Sequence, residues 1–304
     1  MHATVSGLAE YLAEDDRDAI RLARELMAML EWERTGEPDA GAHSTDPPVY
    51  PAEELLDFVP LEARKPYDVR EVLARIVDGS VIADFKPLYG PATVCVHARI
   101  AGRAAGFIGN NGPLDPAGAN KATHFIQACC QSGTPLVFLH NTTGYIVGVD
   151  SERGGMIKHG SKMIQAVANA NVPRIAIHIG ASVGAGNYGM CGRGFNPDFA
   201  FTWPNAITTV MGGEQAALTM EFVARGAAKR RGVPPDEAML AEQRSRILAS
   251  FERQADAFYT SGLLLDDGMI DPRDTRAVLA MALDLCASAR RRSLHPIQFA
   301  VARP

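Results

Sequence analysis

Ser182-Val-Gly-Ala-Gly-Asn-Tyr-Gly-Met190 follows an apolar run from Arg174 to Ile179 and leads into a helix-forming stretch. It reads as a strand, a glycine turn and the start of a helix. Glycines let the backbone turn sharply and come close to a ligand without Cβ atoms in the way. The first amides of a helix have no intrahelical acceptor, so they can donate to an oxygen carrying negative charge. The stretch therefore predicts an oxyanion hole. No nucleophile stands beside it in sequence, which points to enolate-type chemistry, where binding an oxyanion is the protein's main task. A second glycine run, Val210-Met-Gly-Gly-Glu-Gln-Ala-Ala217, follows. Thirteen of the 28 glycines fall between Gly144 and Gly213, less than a quarter of the chain. Scattered turns do not cluster in this way, although a tightly packed helix–strand core also selects glycine.

Outward from this centre, strand and helix patterns alternate. Strands are predicted at Thr93 to Ile100 and Ala105 to Gly109, joined as a hairpin through Gly102-Arg103, and at Pro135 to His140, Arg174 to Ile179 and Phe199 to Trp203. Helices are predicted at Tyr67 to Val77, Lys121 to Gln131, Gly155 to Asn169, from Asn187 to Cys191 onward, from about Glu214, at Asp236 to Tyr259 and at Asp274 to Arg291. This order indicates an α/β fold. Near the N-terminus, Asp15 and Asp16 can cap a helix whose apolar face is Ala19, Leu22, Ala23, Leu26, Met27 and Leu30. Thr35 to Pro60, with five prolines, reads as an extended linker that wraps a surface.

Composition narrows the function classes. The 304 residues are 47% hydrophobic and 21% charged with a net charge of −5, an ordinary globular balance. No stretch is basic with interleaved aromatics, so nucleic acid is not an expected partner. No apolar run approaches the ~20 residues of a membrane helix, and Met1-His-Ala-Thr-Val-Ser has neither the basic nor the apolar region of a signal peptide. The five cysteines form no CxxC and read as reduced, buried thiols. A cytoplasmic chain without a metal site is expected.

Several motifs, in order, carry a family resemblance: Gly109-Asn-Asn-Gly112, Thr123-His-Phe125 with Cys129-Cys-Gln131, Asn141-Thr-Thr-Gly-Tyr145, Gly154-Gly155 and Lys158-His-Gly160. The series continues through Gly184-Ala-Gly-Asn-Tyr-Gly-Met-Cys-Gly-Arg193, Trp203-Pro-Asn-Ala206, Met211-Gly-Gly-Glu-Gln-Ala-Ala217 and Asp267-Gly-Met-Ile-Asp-Pro272. From about Tyr67 onward the chain resembles the C-terminal half of the carboxyltransferase (β) subunit of biotin-dependent acyl-CoA carboxylases, in the methylcrotonoyl-CoA and geranyl-CoA carboxylase branch. The resemblance implies the ClpP/crotonase superfamily fold, an α/β superhelix of repeated β-β-α units. It makes residues 1–66 the helix and linker between two such domains, and 67–304 the biotin-facing domain. One departure is visible. Where the branch continues Trp203-Pro-Asn-Ala206 with a basic residue, this chain has Ile207-Thr-Thr209.

The resemblance also implies roles. Carboxybiotin, carried on another subunit, delivers CO2 to the enolate of an acyl-CoA. The amides of Ala185 and Gly186 are expected to hold the biotin ureido oxygen. Gly184, Asn187, Tyr188, Met211, Gly212 and Gly213 are expected to shape the biotin or acyl pocket, with Asn141, Thr142, Thr143, Gly144 and Tyr145 at a strand end as a wall. The thioester hole belongs to an acyl-CoA-binding half outside this sequence, and a biotin carboxylase and biotin carrier complete a hetero-oligomer. His124, Lys158 and His159 are tempting acid–base groups, but they read better as partnered structural residues. Lys158 or Arg153 can instead attract CoA phosphates. Glu214 reads as a carboxylate at a helix start, and Asn110 and Asn111 resemble a family loop, with local turn chemistry almost as good an account. Two other readings stay open: a stand-alone crotonase-type acyl-CoA decarboxylase or other enolate enzyme without biotin, and a non-catalytic assembly subunit.

Overall fold

Alternating apolar residues in the central strands serve two faces of one sheet, and the helices cover both. The computed structural model describes residues 1–29, 45–60, 62, 65 and 67–291. Its strands are β1 (Ala83–Asp84), β2 (Thr93–Ile100), β3 (Arg103–Asn110), β4 (Leu136–Thr142), β5 (Arg174–Val183), β6 (Phe199–Thr202) and β7 (Ile207–Thr209). They run in the spatial order β1-β2-β3-β4-β5-β6, with β7 also on β5. β1 to β3 are antiparallel, and β3 to β6 are parallel. The mixed α/β sheet agrees with the expected fold class.

The helices are α1 (Asp16–Met29), α2 (Leu55–Phe58), α3 (Val69–Ala74), α4 (Pro116–Ser132), α5 (Val149–Arg153), α6 (Met156–Ala168), α7 (Ala185–Gly189), α8 (Gly213–Arg231), α9 (Glu237–Ala255), α10 (Ala257–Gly262) and α11 (Thr275–Arg291). Val94, Val96, Phe107, Val137, Leu139, Ile175 and Ile177 point to one face, where α3 and α11 contribute Leu73, Leu279 and Leu283. Cys95, Ile108, Leu136 and Phe138 point to the other, against Phe125 and Ile126 of α4 and Met163 and Val167 of α6. This period of two is the signature of strands buried on both faces. Trp203 sits at the end of the first core, fully buried, and its indole donates to Thr275 Oγ1 at 2.9 Å.

β5 is the strand on which the site depends. Its first half pairs with β6 (Ile175↔Phe199 to His178↔Thr202), and its second half pairs with β7 (Ala181↔Ile207 to Val183↔Thr209). β4 follows it through His140↔His178, then shifts register to Thr142↔Ser182. The strands thus run on past the main sheet into a smaller pairing at their C-terminal ends.

Several boundaries differ from the sequence reading, each for a physical reason. β5 extends four residues beyond Ile179, because Ser182 finds buried hydrogen-bond partners. The hairpin turn is Ala101-Gly102, both at positive φ (49° and 82°), so the strand resumes at Arg103. α4 starts at Pro116, five residues early, capped by Asp115. α7 begins two residues before Asn187 and ends before Cys191, whose φ is +60°. The expected Asp236–Tyr259 helix breaks at Asp256 (ψ 140°), whose carboxylate caps α10. β7 and α5 have no counterpart in the sequence reading.

α1 is capped by Asp15, which accepts from the Asp18 amide. Its apolar face is only half-covered: Leu22 and Leu26 are half-buried, while Ala19, Ala23 and Met27 are exposed. Leu30 and the Thr35–Ser44 part of the predicted linker lie outside the described residues. The described remainder is not extended throughout, since it forms a 3-10 turn at Ala52–Glu54 and then α2. Leu55 and Val59 enter the first core, and Val49 donates to Ser80 Oγ at 2.8 Å.

Candidate active site

Three loops meet at the C-terminal ends of β4, β5 and β7, where parallel strands place ligands. The turn between β5 and α7 is Gly184, at φ 58° and ψ −139°, a conformation that L side chains rarely adopt. A Cβ on Gly184 would lie 3.1 Å from the Val210 carbonyl. A Cβ on Gly186 would lie 2.8 Å from Gly144 Cα and 3.1 Å from Thr142 Cγ2. Backbone therefore packs on backbone, and the predicted groups Thr142–Tyr145, Gly184–Tyr188 and Val210–Gly213 form one cluster. The Gly184 amide is tied to the Thr209 carbonyl at 2.9 Å, and the Asn187 amide to the Gly184 carbonyl at 3.1 Å. The Ala185 and Gly186 amides, first and second in α7, have no acceptor among the described residues. Ala185 is exposed, and Gly186 is buried against Gly144 and Thr142.

The predicted wall residues split into two kinds. Thr143 is exposed, whereas Asn141 and Thr142 are buried. Asn141 turns inward over Gly180, where there is no Cβ, and its Nδ2 donates to the Asn110 carbonyl at 3.4 Å. Thr142 Oγ1 accepts from the Gly144 amide at 3.2 Å, which closes the turn after β4. Gly144 itself has φ +120°, and its carbonyl accepts from Leu114 at 2.9 Å. The Tyr145 ring lies between Gly160 of α6 and Gly189 of α7. Its buried hydroxyl has no partner among the described residues, and burial pushes its pKa up. Asn141 and Tyr145 thus brace the loop from inside. Tyr188 and Met211 are exposed, Asn187 is half-buried, and Gly212 precedes the first turn of α8.

Beneath the glycine turn lies a polar network that sequence reasoning missed. His140 on β4 and His178 on β5 are register partners, with ring centroids 4.3 Å apart. His140 Nδ1 lies 2.8 Å from Ser182 Oγ, which also accepts from Asn187 Nδ2 at 2.8 Å. His178 Nδ1 lies 2.9 Å from Thr208 Oγ1. Both rings are buried, and burial favours their neutral form. It lowers the His140 pKa well below the ordinary value, with the neighbouring His178 adding to the effect. It brings His178 down to about 4 against a small opposing pull from Asp266. The rings are 38 positions apart, and only the parallel register joins them.

Other candidates lie elsewhere. His124 is exposed on α4 and packs edge-on against Phe85 at 5.2 Å. Lys158 is exposed on α6, while burial and the adjacent Lys162 and Lys158 lower the pKa of His159. Glu214 pairs with Arg244 of α9. Asn111 donates to Asp68 and accepts from the Val69 amide, bonds to a distant segment rather than within a turn, and Asn110 is the buried last residue of β3. A cavity of about 730 Å³ opens at the opposite end of β5, between Arg174, Phe199 and Leu285. The glycine cluster is instead an open surface. Its apolar neighbours Val147, Ile157 and Val210 are each more than 70% exposed.

Comparison with known proteins shows the family. The carboxyl transferase domain family matches residues 1–298. The chain is 51% identical over 289 residues to a probable biotin-dependent acyl-coenzyme A carboxylase beta2 subunit of Mycobacterium tuberculosis, covering 95% of this chain and 54% of that protein. It is 45% identical over 292 residues to the biotin-dependent 3-methylcrotonyl-coenzyme A carboxylase beta1 subunit of the same organism, again covering 95% and 54%. The crystal structure of the P. aeruginosa geranyl-CoA carboxylase beta subunit superposes with a TM-score of 0.80 at 52% identity, covering 99% of this chain and 56% of that one. The chain therefore spans about half the length of the relatives it matches. The repeated crotonase-like architecture agrees with these neighbours.

The buried histidines set an acid limit on stability. His178 has a folded pKa of about 4 against an ordinary 6.5. Below pH 6.5 the unfolded chain takes up a proton that the folded chain refuses. The stabilisation is complete above that pH and is lost as pH falls towards 4. At about 1.4 kcal/mol per unit, His178 alone removes on the order of 2 kcal/mol by pH 5. Urea midpoints measured from pH 8 to 4.5 should fall steeply below 6.5 in the native chain and less so in His178→Gln. Equal acid slopes for the two chains would contradict this assignment.

Proposed function

The chain belongs to the carboxyl transferase domain family, and on that premise we propose that it is the biotin-facing part of the carboxyltransferase of a biotin-dependent acyl-CoA carboxylase. In this reading it acts on a 3-methylcrotonoyl-CoA-like thioester. It works with an acyl-CoA-binding half outside residues 1–304, and with a biotin carboxylase and biotin carrier in a hetero-oligomer. Residues 1–66 serve as helix and linker, and residues 67–304 as the transferase domain. The observation that carries the proposal is the pair of Ala185 and Gly186 amides, without an acceptor among the described residues, on a turn that requires glycine.

Those amides suit the ureido oxygen of biotin, which needs two donors on one side and room for the bent bicyclic ring on the other. When bound, carboxybiotin supplies the carboxyl group that is transferred. The chain's own contribution is to bind and orient. Gly184 aims the two donors, Asn187 and Tyr188 flank them, and Met211 to Gly213 form the opposite lip. His140 and His178 are enclosed and hydrogen-bonded inward, so they offer no route to a substrate proton. Donors held in place before reaction cost no reorganisation when charge develops on the oxygen.

The apolar rim of Val147, Ile157 and Val210, continued by Phe222 at 80% exposure, supports a docking face for the acyl-CoA-binding half. Both arginine and lysine stand near enough in sequence to serve CoA phosphates there, as Arg153 and Lys158. The five cysteines are free, which suits a reducing compartment, and the proposal places the chain in the cytosol.

Two experiments test the reading. A tagged chain recovered from its source organism should bring down a biotinylated subunit and an acyl-CoA-binding crotonase-fold polypeptide, seen by streptavidin blot and mass spectrometry. Recovery alone, with turnover of an acyl-CoA in the absence of biotin, would replace the proposal with a stand-alone decarboxylase. In the reconstituted carboxylase, Gly186→Ala should push α7 from Gly144 and misalign the donors. Carboxyl transfer should then fall roughly 10²-fold, in the range seen when oxyanion donors are lost. A Gly186→Ala enzyme at native rate would contradict the assignment of these amides.

A further inference from the structure

We propose that His140 and His178 are positioning residues that fix the direction of the Ala185 and Gly186 amides by holding the glycine turn from two sides. The inference rests on reading those amides as the oxyanion site. It begins from length. α7 has five residues, and an isolated helix needs more than twice that to hold its own shape. Its orientation must come from what it is tied to.

One tie runs from β4. His140 meets Ser182 Oγ at 2.8 Å, and Asn187 Nδ2 donates to the same oxygen at 2.8 Å. Ser182 Oγ accepts from Asn187 Nδ2 and shares a second bond with His140 Nδ1, the direction of which is set by the histidine tautomer. The order His140–Ser182–Asn187 thus links the sheet to the second residue beyond Ala185. The other tie runs from β7. His178 meets Thr208 Oγ1 at 2.9 Å, and the next residue, Thr209, accepts the Gly184 amide at 2.9 Å. The two rings face each other at 4.3 Å on paired strands, so a shift in one displaces the other.

Packing alone does not call for histidine here. An apolar ring of similar size would fill the same space, but it would leave the Ser182 and Thr208 hydroxyls short of a buried partner. His140 and Ser182 are fully buried, and His178 is nearly so. Neither histidine reaches the surface where a substrate would lie, which separates a positioning role from a catalytic one.

The test follows the Ala185 and Gly186 amide resonances of the full chain by 1H–15N spectroscopy, free and titrated with biotin methyl ester. The variants are His140→Leu, His140→Gln, Ser182→Ala and the double His140→Leu/Ser182→Ala. His140→Leu should move both resonances in the free protein and weaken probe binding about tenfold, the scale of one buried hydrogen bond. His140→Gln, which keeps a polar group within reach, should restore both. The double variant should be no worse than either single one, because the two act along one chain of bonds. A folded His140→Leu with native resonances and native affinity overturns the proposal. Should His140→Leu fail to fold, Ser182→Ala carries the same expectation and the same overturning result. If the native chain binds no probe, the oxyanion reading falls, and the resonance positions in the free variants still decide the positioning role.

Discussion

Backbone packs against backbone at Gly186, and the rest of the site depends on that approach. A Cβ there would come 2.8 Å from Gly144 Cα, so any side chain forces α7 away from the loop after β4. The same contact lets Tyr145 slide under α7 against Gly189 and lets the Val210 carbonyl close over Gly184. Close packing therefore sets how near the two donor groups stand to the loop after β4. In the proposed site the binding atoms are main-chain atoms, and the side chains serve to hold that main chain still.

A gradient along the strands explains why the site lies at this end. The first halves of β4 and β5 are apolar, with Leu136 to Leu139 and Ile175 to Ile177 filling both cores. Their last residues are buried and polar: His140, Asn141, Thr142, His178 and Ser182, joined by Thr202. Burying such groups is costly unless they bond to one another. The apolar end supplies the stability that this polar end draws on, and the polar end supplies fixed geometry. Two neutral histidines between strands are tolerated because their Nδ1 atoms are bonded; His140 also meets the Met190 backbone, while His178 Nε2 has no partner among the described residues.

Much of this was legible in the sequence, and for reasons that can be stated. Glycine at 184, 186 and 189 reports backbone geometry directly, so the strand–turn–helix reading found the turn. The motif order from Gly109 to Pro272 then gave the family. What stayed hidden depends on partners distant in sequence. β7 is three residues long and half-polar, and exists only because β5 offers it an edge. Ser182 reads as a turn residue until His140 is placed beside it. The Asp256 break is invisible in a run of good helix formers, since its cap forms only once the chain has turned. Asp115-Pro116, by contrast, carries a plain helix-start signal. The histidine pair needed the parallel register, which no local pattern contains.

The central claim is that the Ala185 and Gly186 amides receive an oxygen of biotin. The most direct measurement is a crystal structure of the chain with biotin methyl ester bound. The account predicts the ureido oxygen at about 3 Å from both amide nitrogens, with the ring between Tyr188 and Met211. A ligand bound elsewhere, or seated here with its ureido oxygen turned away from both amides, would contradict it.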